Sequence, residues 1–144
     1  MIGKHELHAY RDDLMELRQI EGRIEQIKTS MYSLRSPNMS GMPHAQNTDP
    51  GSAQERAADQ MSEEKKRLVA IYEAKAAVLD AKCLEVEAAL DLLPSRFRRL
   101  LRARYIEGQK WQEIADAAPY SFERCMQLHR RALAMLRDRQ QKST

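Results

Sequence analysis

At 144 residues and 16.7 kDa the chain has room for one compact domain or two very small units, which excludes a large catalytic barrel. Charged residues make up 31% and aromatic residues 6%, with 5 Gly and 5 Pro, a balance suited to helices rather than to a β-sandwich with its many turns. The formal net charge of +3 conceals two parts of opposite sign: residues 1–93 hold 12 Lys/Arg and 16 Asp/Glu, a balance of −4, and residues 94–144 hold 12 and 5, a balance of +7.

The first element is a long helix. Between Leu7 and Leu34 the apolar residues Tyr10, Leu14, Leu17, Ile20, Ile24, Ile27 and Met31 succeed one another at steps of three and four, the narrow seam of a coiled coil rather than the broad face of a globular helix. Gly22 costs about 1 kcal/mol against Ala in such a helix; it marks either a close backbone crossing or a neutral position. Residues 36–51 carry Pro37, Pro43 and Pro50 with two glycines, which bars helix and strand, so a flexible loop is expected there. Met39 and Met42 within it either dock on the helix or face solvent. Ser52 and Glu55 then have the spacing of a capping box and start a second long helix. Its seam runs through Leu68, Tyr72, Ala76, Leu79, Cys83, Val86, Leu90 and Leu93.

Two long helices with matching seams and a return loop predict an antiparallel hairpin over residues 1–93. Two stripes alone leave each helix mostly wet, so a homodimer forming a four-helix bundle is expected, with a monomeric hairpin packed on the C-terminal part as the alternative. Leu14, Leu17, Ile24, Ile27, Leu68, Leu79, Val86 and Leu90 are the candidates for hairpin and dimer seam.

Pro94 ends the second helix and suits the first position of a new one. Residues 94–144 contain three short helical patterns. Ser95 to Ile106 brings Phe97, Leu100, Leu101 and Tyr105 to helical spacing and closes at Gly108. Trp111 to Ala118 points Trp111, Ile114 and Ala115 inward, and Ser121 caps a last helix reaching about Arg137. Short helices joined by a tight turn ahead of a longer one define a helix-turn-helix, with the last helix set for the DNA major groove. The fold class is therefore all-α: an antiparallel coiled-coil hairpin leading into a helix-turn-helix domain.

On a wheel of the last helix, Cys125, Leu128, His129, Ala132 and Leu136 share one face and form the core, with His129 read as a packed histidine. The opposite face carries Glu123, Gln127 and Arg130 and is flanked by Arg124 and Arg131; Arg124, Gln127, Arg131 and Glu123 are the base readers, since Arg suits guanine, Gln adenine and a carboxylate cytosine. Arg98, Arg99, Arg102, Arg104, Lys110 and Arg130 are the phosphate candidates. A solvated basic helix that meets an acidic protein is the plainer reading of the same charges.

The stretch Leu93-Pro94-Ser-Arg-Phe-Arg-Arg-Leu-Leu-Arg-Ala-Arg-Tyr-Ile-Glu-Gly108, with Trp111-Gln-Glu113-Ile114-Ala115, Ser121 and Arg131-Ala132-Leu133, resembles conserved region four of bacterial sigma factors. Together with the hairpin and Gly41-Met42-Pro43, the whole chain resembles phage-encoded transcriptional regulators of the RinA and ArpU late-gene activator type. The resemblance implies phage or prophage origin and transcriptional regulation, with double-stranded DNA as the partner; binding of host RNA polymerase, with DNA contact secondary, is a further reading, and the two unpaired cysteines suit the bacterial cytosol. One departure from the family pattern is Pro119, which stands where the turn glycine is usual and cannot reach positive φ. A phage assembly protein such as a terminase small subunit, which also joins a helix-turn-helix to a coiled coil, is the alternative. Cys83 and Cys125 lie 42 residues apart, the four histidines form no ligand set with them, and no run of residues suits a membrane span or a secretory leader. No metal, cofactor or catalytic activity is expected, since neither a glycine-rich phosphate loop nor an ordered Ser/His/Asp set is present.

Overall fold

A computed structural model describes residues 1–35 and 53–143. The elements are α1 (Lys4–Arg35), α2 (Ala53–Leu90), α3 (Ser95–Leu101), which continues into a π-helical turn (Arg102–Ile106), α4 (Trp111–Ala117) and α5 (Phe122–Ser143); among the described residues there is no strand. The expected loop 36–51, with Met39 and Met42, and the Ser52 cap lie outside the described residues. The long helices run antiparallel, for Tyr10 meets Cys83 and Arg23 pairs with Glu64 at 2.9 Å.

The chain forms two compact units, Leu17–Lys75 and Met1–Glu16 with Ala76–Thr144. In the first, only Leu17, Ile24 and Ile27 are buried among the described residues, while Leu68 and Tyr72 are half-buried and Ile71 is exposed. Gly22 faces open space, so no close crossing requires it. Its role is therefore neutral.

The second unit holds the larger core. Leu7, Leu79, Val86 and Leu90 are buried and Leu14 is half-buried, with Phe97, Leu100, Leu101 and Tyr105 buried behind them. The second helix ends at Leu90, and the turn of Asp91–Leu93 brings in Pro94. Pro94 is the residue that caps α3, not the first residue within it: its extended ψ of 152° leaves its carbonyl to accept from Phe97 and Arg98. Both α3 and α4 pack on α5, as a helix-turn-helix requires.

The helix expected over Ser95–Ile106 changes type halfway. Over Arg102–Ile106 the helix widens, and the Glu107 amide reaches back five residues to the Arg102 carbonyl at 2.9 Å. Leu101 before the turn and Tyr105 within it are both fully buried. Gly108, at φ 74°, then ends the segment as its sequence position suggests.

Candidate DNA-binding surface

The turn between α4 and α5 opens on an extended residue. Ala118 donates to the Ile114 carbonyl and is itself extended (φ −99°, ψ 154°), the conformation favoured in the residue before a proline. Pro119 is thus accommodated by an extended exit from α4. Ser121 caps α5 as expected, its Oγ accepting from the Arg124 amide at 3.1 Å. At the start of α4 the Glu113 carboxylate accepts from the Lys110 amide at 3.2 Å.

All five wheel positions assigned to the core of α5, namely Cys125, Leu128, His129, Ala132 and Leu136, are buried. The helix extends to Ser143, past the expected end near Arg137. Its last turns are tethered: Gln140 accepts from the Ile2 amide at 2.8 Å and donates to the Ile2 carbonyl at 2.5 Å. His129 lies within 2.6 Å of the Tyr105 hydroxyl, and the Trp111 ring stands edge-on to it with centroids 4.7 Å apart. Burial holds the imidazole down at about 4, with His8, Lys4, Arg104 and Arg130 adding repulsion. Burial likewise pushes the Tyr105 hydroxyl up to about 12. The phenol therefore donates and neutral His129 Nε2 accepts, which makes His129 a packed and hydrogen-bonded core residue.

The opposite face of α5 is open. Glu123, Gln127, Arg130 and Arg131 are exposed and Arg124 is half-buried. Arg124 Nη1 donates to Gln127 Oε1 at 3.3 Å, so these two side chains sit together one turn into the helix. Phe122, half exposed, and Tyr120 add apolar surface beside them that charge-based reasoning passed over.

The six phosphate candidates divide into two groups. Arg99, Lys110 and Arg130 are exposed and Arg98 is half-buried. Arg102 is instead held by Glu87 of α2 in a two-pronged pair of 2.9 and 2.6 Å. Arg104 lies over the Trp111 ring, 4.8 Å from its centroid, and donates to the Gln109 carbonyl at 3.1 Å. Both guanidiniums are turned to protein partners. The signal that separates them from the others is tertiary, residing in α2 and α4.

Among the described residues, no cluster of three or more His, Cys, Asp or Glu is disposed to hold a metal, and no helix is long and apolar enough to cross a membrane. Cys83 and Cys125 are free thiols.

The arrangement of α3, α4 and α5 defines a helix-turn-helix, a DNA-binding class of domain. Residues 89–138 match the family model of sigma-70, region 4, so this part of the chain carries a sigma-region-four-like helix-turn-helix, a DNA-binding rather than an enzymatic module. No curated protein and no solved structure matches the chain.

Proposed function

We propose that this protein is a sequence-specific transcription regulator of phage or prophage origin that binds promoter DNA as a homodimer in the bacterial cytosol. The observation that carries the reading is the open face of α5, where Arg124 and Gln127 stand together on a helix-turn-helix of the sigma-region-four type. In this arrangement Arg124, Gln127 and Arg131 read base edges and Glu123 accepts from cytosine, while Arg98, Arg99, Lys110 and Arg130 grip phosphates. Labour divides near residue 93: the acidic hairpin of residues 1–93 self-associates and the basic residues 94–144 bind DNA.

Dimerisation is supported by the sparse burial in Leu17–Lys75, where, among the described residues, three buried side chains serve two long helices. A second hairpin supplies the missing layers. Sedimentation of the full chain should give a dimer mass. A ring of eight or more chains would instead favour the packaging alternative, and a monomer would remove the two-fold reading.

Contact with RNA polymerase is favoured by a groove of about 640 Å³ lined by Arg96, Arg99, Leu100, Ile114, Pro119 and Leu128. Its apolar floor and basic rim suit an acidic helix with a bulky apolar anchor.

Footprinting on the source genome, with and without polymerase, tests both parts. Protection of paired half-sites about one DNA turn (~34 Å) apart is expected, and a protein that protects no discrete site is not the proposed regulator. In a binding assay, Arg124→Ala should relax preference at a single base pair by about 1–3 kcal/mol and leave the other positions unchanged. A uniform loss on specific and random duplexes would show Arg124 to be a phosphate contact.

A further inference from the structure

The turn that launches α4 is held from outside the basic region. The Glu107 and Gln109 amides go to the Arg102 and Ala103 carbonyls, so neither reaches the carbonyl of Arg104. Arg11 of α1 takes up that position: its Nε donates to the Arg104 carbonyl at 3.1 Å and its Nη2 to the Gly108 carbonyl at 3.3 Å. These partners are 93 and 97 residues away along the chain. With Arg104 donating to the Gln109 carbonyl, three carbonyls of one short turn are each fixed by an arginine.

Lys110 and Trp111 lie directly beyond this turn, and Trp111 is packed between the Arg104 guanidinium and the His129 ring of α5. A contact path therefore runs from Arg11 through the turn to Trp111 and the helix that carries Arg124 and Gln127. We infer that Arg11 is a positioning residue for base reading, an inference that rests on the DNA-reading proposal above. It touches no base or phosphate; it sets the angle at which α4 leaves the turn and hence the seat of α5. A guanidinium suits the task because its fork reaches two carbonyls at once, which a lysine ammonium on a flexible stem does not reproduce.

Arg11→Lys keeps the charge and loses the fork. The probes are a duplex selected by the wild-type protein from a randomised pool and a duplex of random sequence. Affinity of Arg11→Lys for the selected duplex should fall roughly tenfold, while affinity for the random duplex and the salt slope stay within about twofold because the net charge is unchanged. A loss shared equally by both duplexes and tracking a lowered urea midpoint would show a purely structural role and overturn the inference. So would an unchanged affinity for the selected duplex. Arg11→Gln, whose amide reaches one carbonyl, stands in if Arg11→Lys does not fold; its loss on the random duplex reads the missing charge, and a further loss of roughly tenfold on the selected duplex is expected. If the wild-type protein enriches no sequence at all, the DNA-reading proposal fails and this inference falls with it; enrichment by the wild type with no selective loss in the variants overturns this inference alone.

Discussion

Below pH 6.5 the protein should lose stability steadily, by about 3 kcal/mol on reaching pH 4. The cause is His129, whose pKa is about 4 in the folded chain against an ordinary value of 6.5. A histidine depressed by folding is neutral in the native state and charged in the unfolded one across that interval. Its contribution is fully present above pH 6.5 and is lost as the pH falls through 6.5 toward 4. Protonation would place a second donor against the Tyr105 hydroxyl, in a pocket already facing Arg104 and Lys4. His8, also depressed mainly by burial, adds loss in the same direction. Urea unfolding at pH 7.5, 6, 5 and 4 reads the effect directly. His129→Gln keeps an acceptor for Tyr105 but does not titrate, so most of the acid slope should vanish in that variant. An undiminished slope would place the acid sensitivity elsewhere.

Raising monovalent salt from 50 to 200 mM should weaken DNA binding roughly 150-fold per chain. The four phosphate contacts proposed, through Arg98, Arg99, Lys110 and Arg130, would give log K a slope near −3.6 against log salt, and the proposed dimer would double the exponent. Six contacts would be the count from charge alone, but Arg102 is paired with Glu87 and Arg104 lies against Trp111. The variants separate the groups. Arg99→Ala should reduce the slope by about 0.9, whereas Arg102→Ala should leave it unchanged and instead lower the unfolding midpoint, since Glu87 loses its partner. If Arg102→Ala flattens the slope as Arg99→Ala does, the pair with Glu87 opens on DNA. A flat salt response in the wild type would exclude direct phosphate binding.

The difference between those two arginines marks the limit of what a sequence pattern can carry. Periodicity identified the buried face of α5 residue by residue, because an amphipathic helix writes its core at intervals of three and four. The seam positions of α1 and α2 were legible for the same reason, and Leu17, Ile24, Ile27, Leu79, Val86 and Leu90 are all buried. Charge was legible only as a total for the region. Which cations face solvent depends on Glu87 and Trp111, through contacts no single-helix pattern records. Arg11 was invisible as a site residue because it lies on α1, outside the basic region, and binds backbone carbonyls, which carry no sequence signature. The extension of α5 past Arg137 was missed because its tail is polar and is held by backbone contacts of Ile2. The π turn had no signal either, because Arg102–Ile106 are ordinary helix formers and nothing in their pattern separates a π turn from an α-helical one.

That turn also makes the segment unequal in its tolerance of shortening and lengthening. About one more residue is wound into it than an α-helical turn of similar height holds. Losing Ala103 would leave Tyr105 three residues beyond Leu101, on the same face of a regular helix and about 4.5 Å along it. The chain beyond would then stay close to its present seat. The Arg104 carbonyl would be drawn into the α-helical ladder, however, and Arg11 would keep only one of its two acceptors. An added residue finds no such relief, because it turns everything beyond it by about 100° and pushes it on by about 1.5 Å. Tyr105 would be carried away from His129, and the hydrogen bond at the centre of the domain would go with it. Between Leu101 and Gly108, relatives with this packing should therefore be one residue shorter far more often than one residue longer.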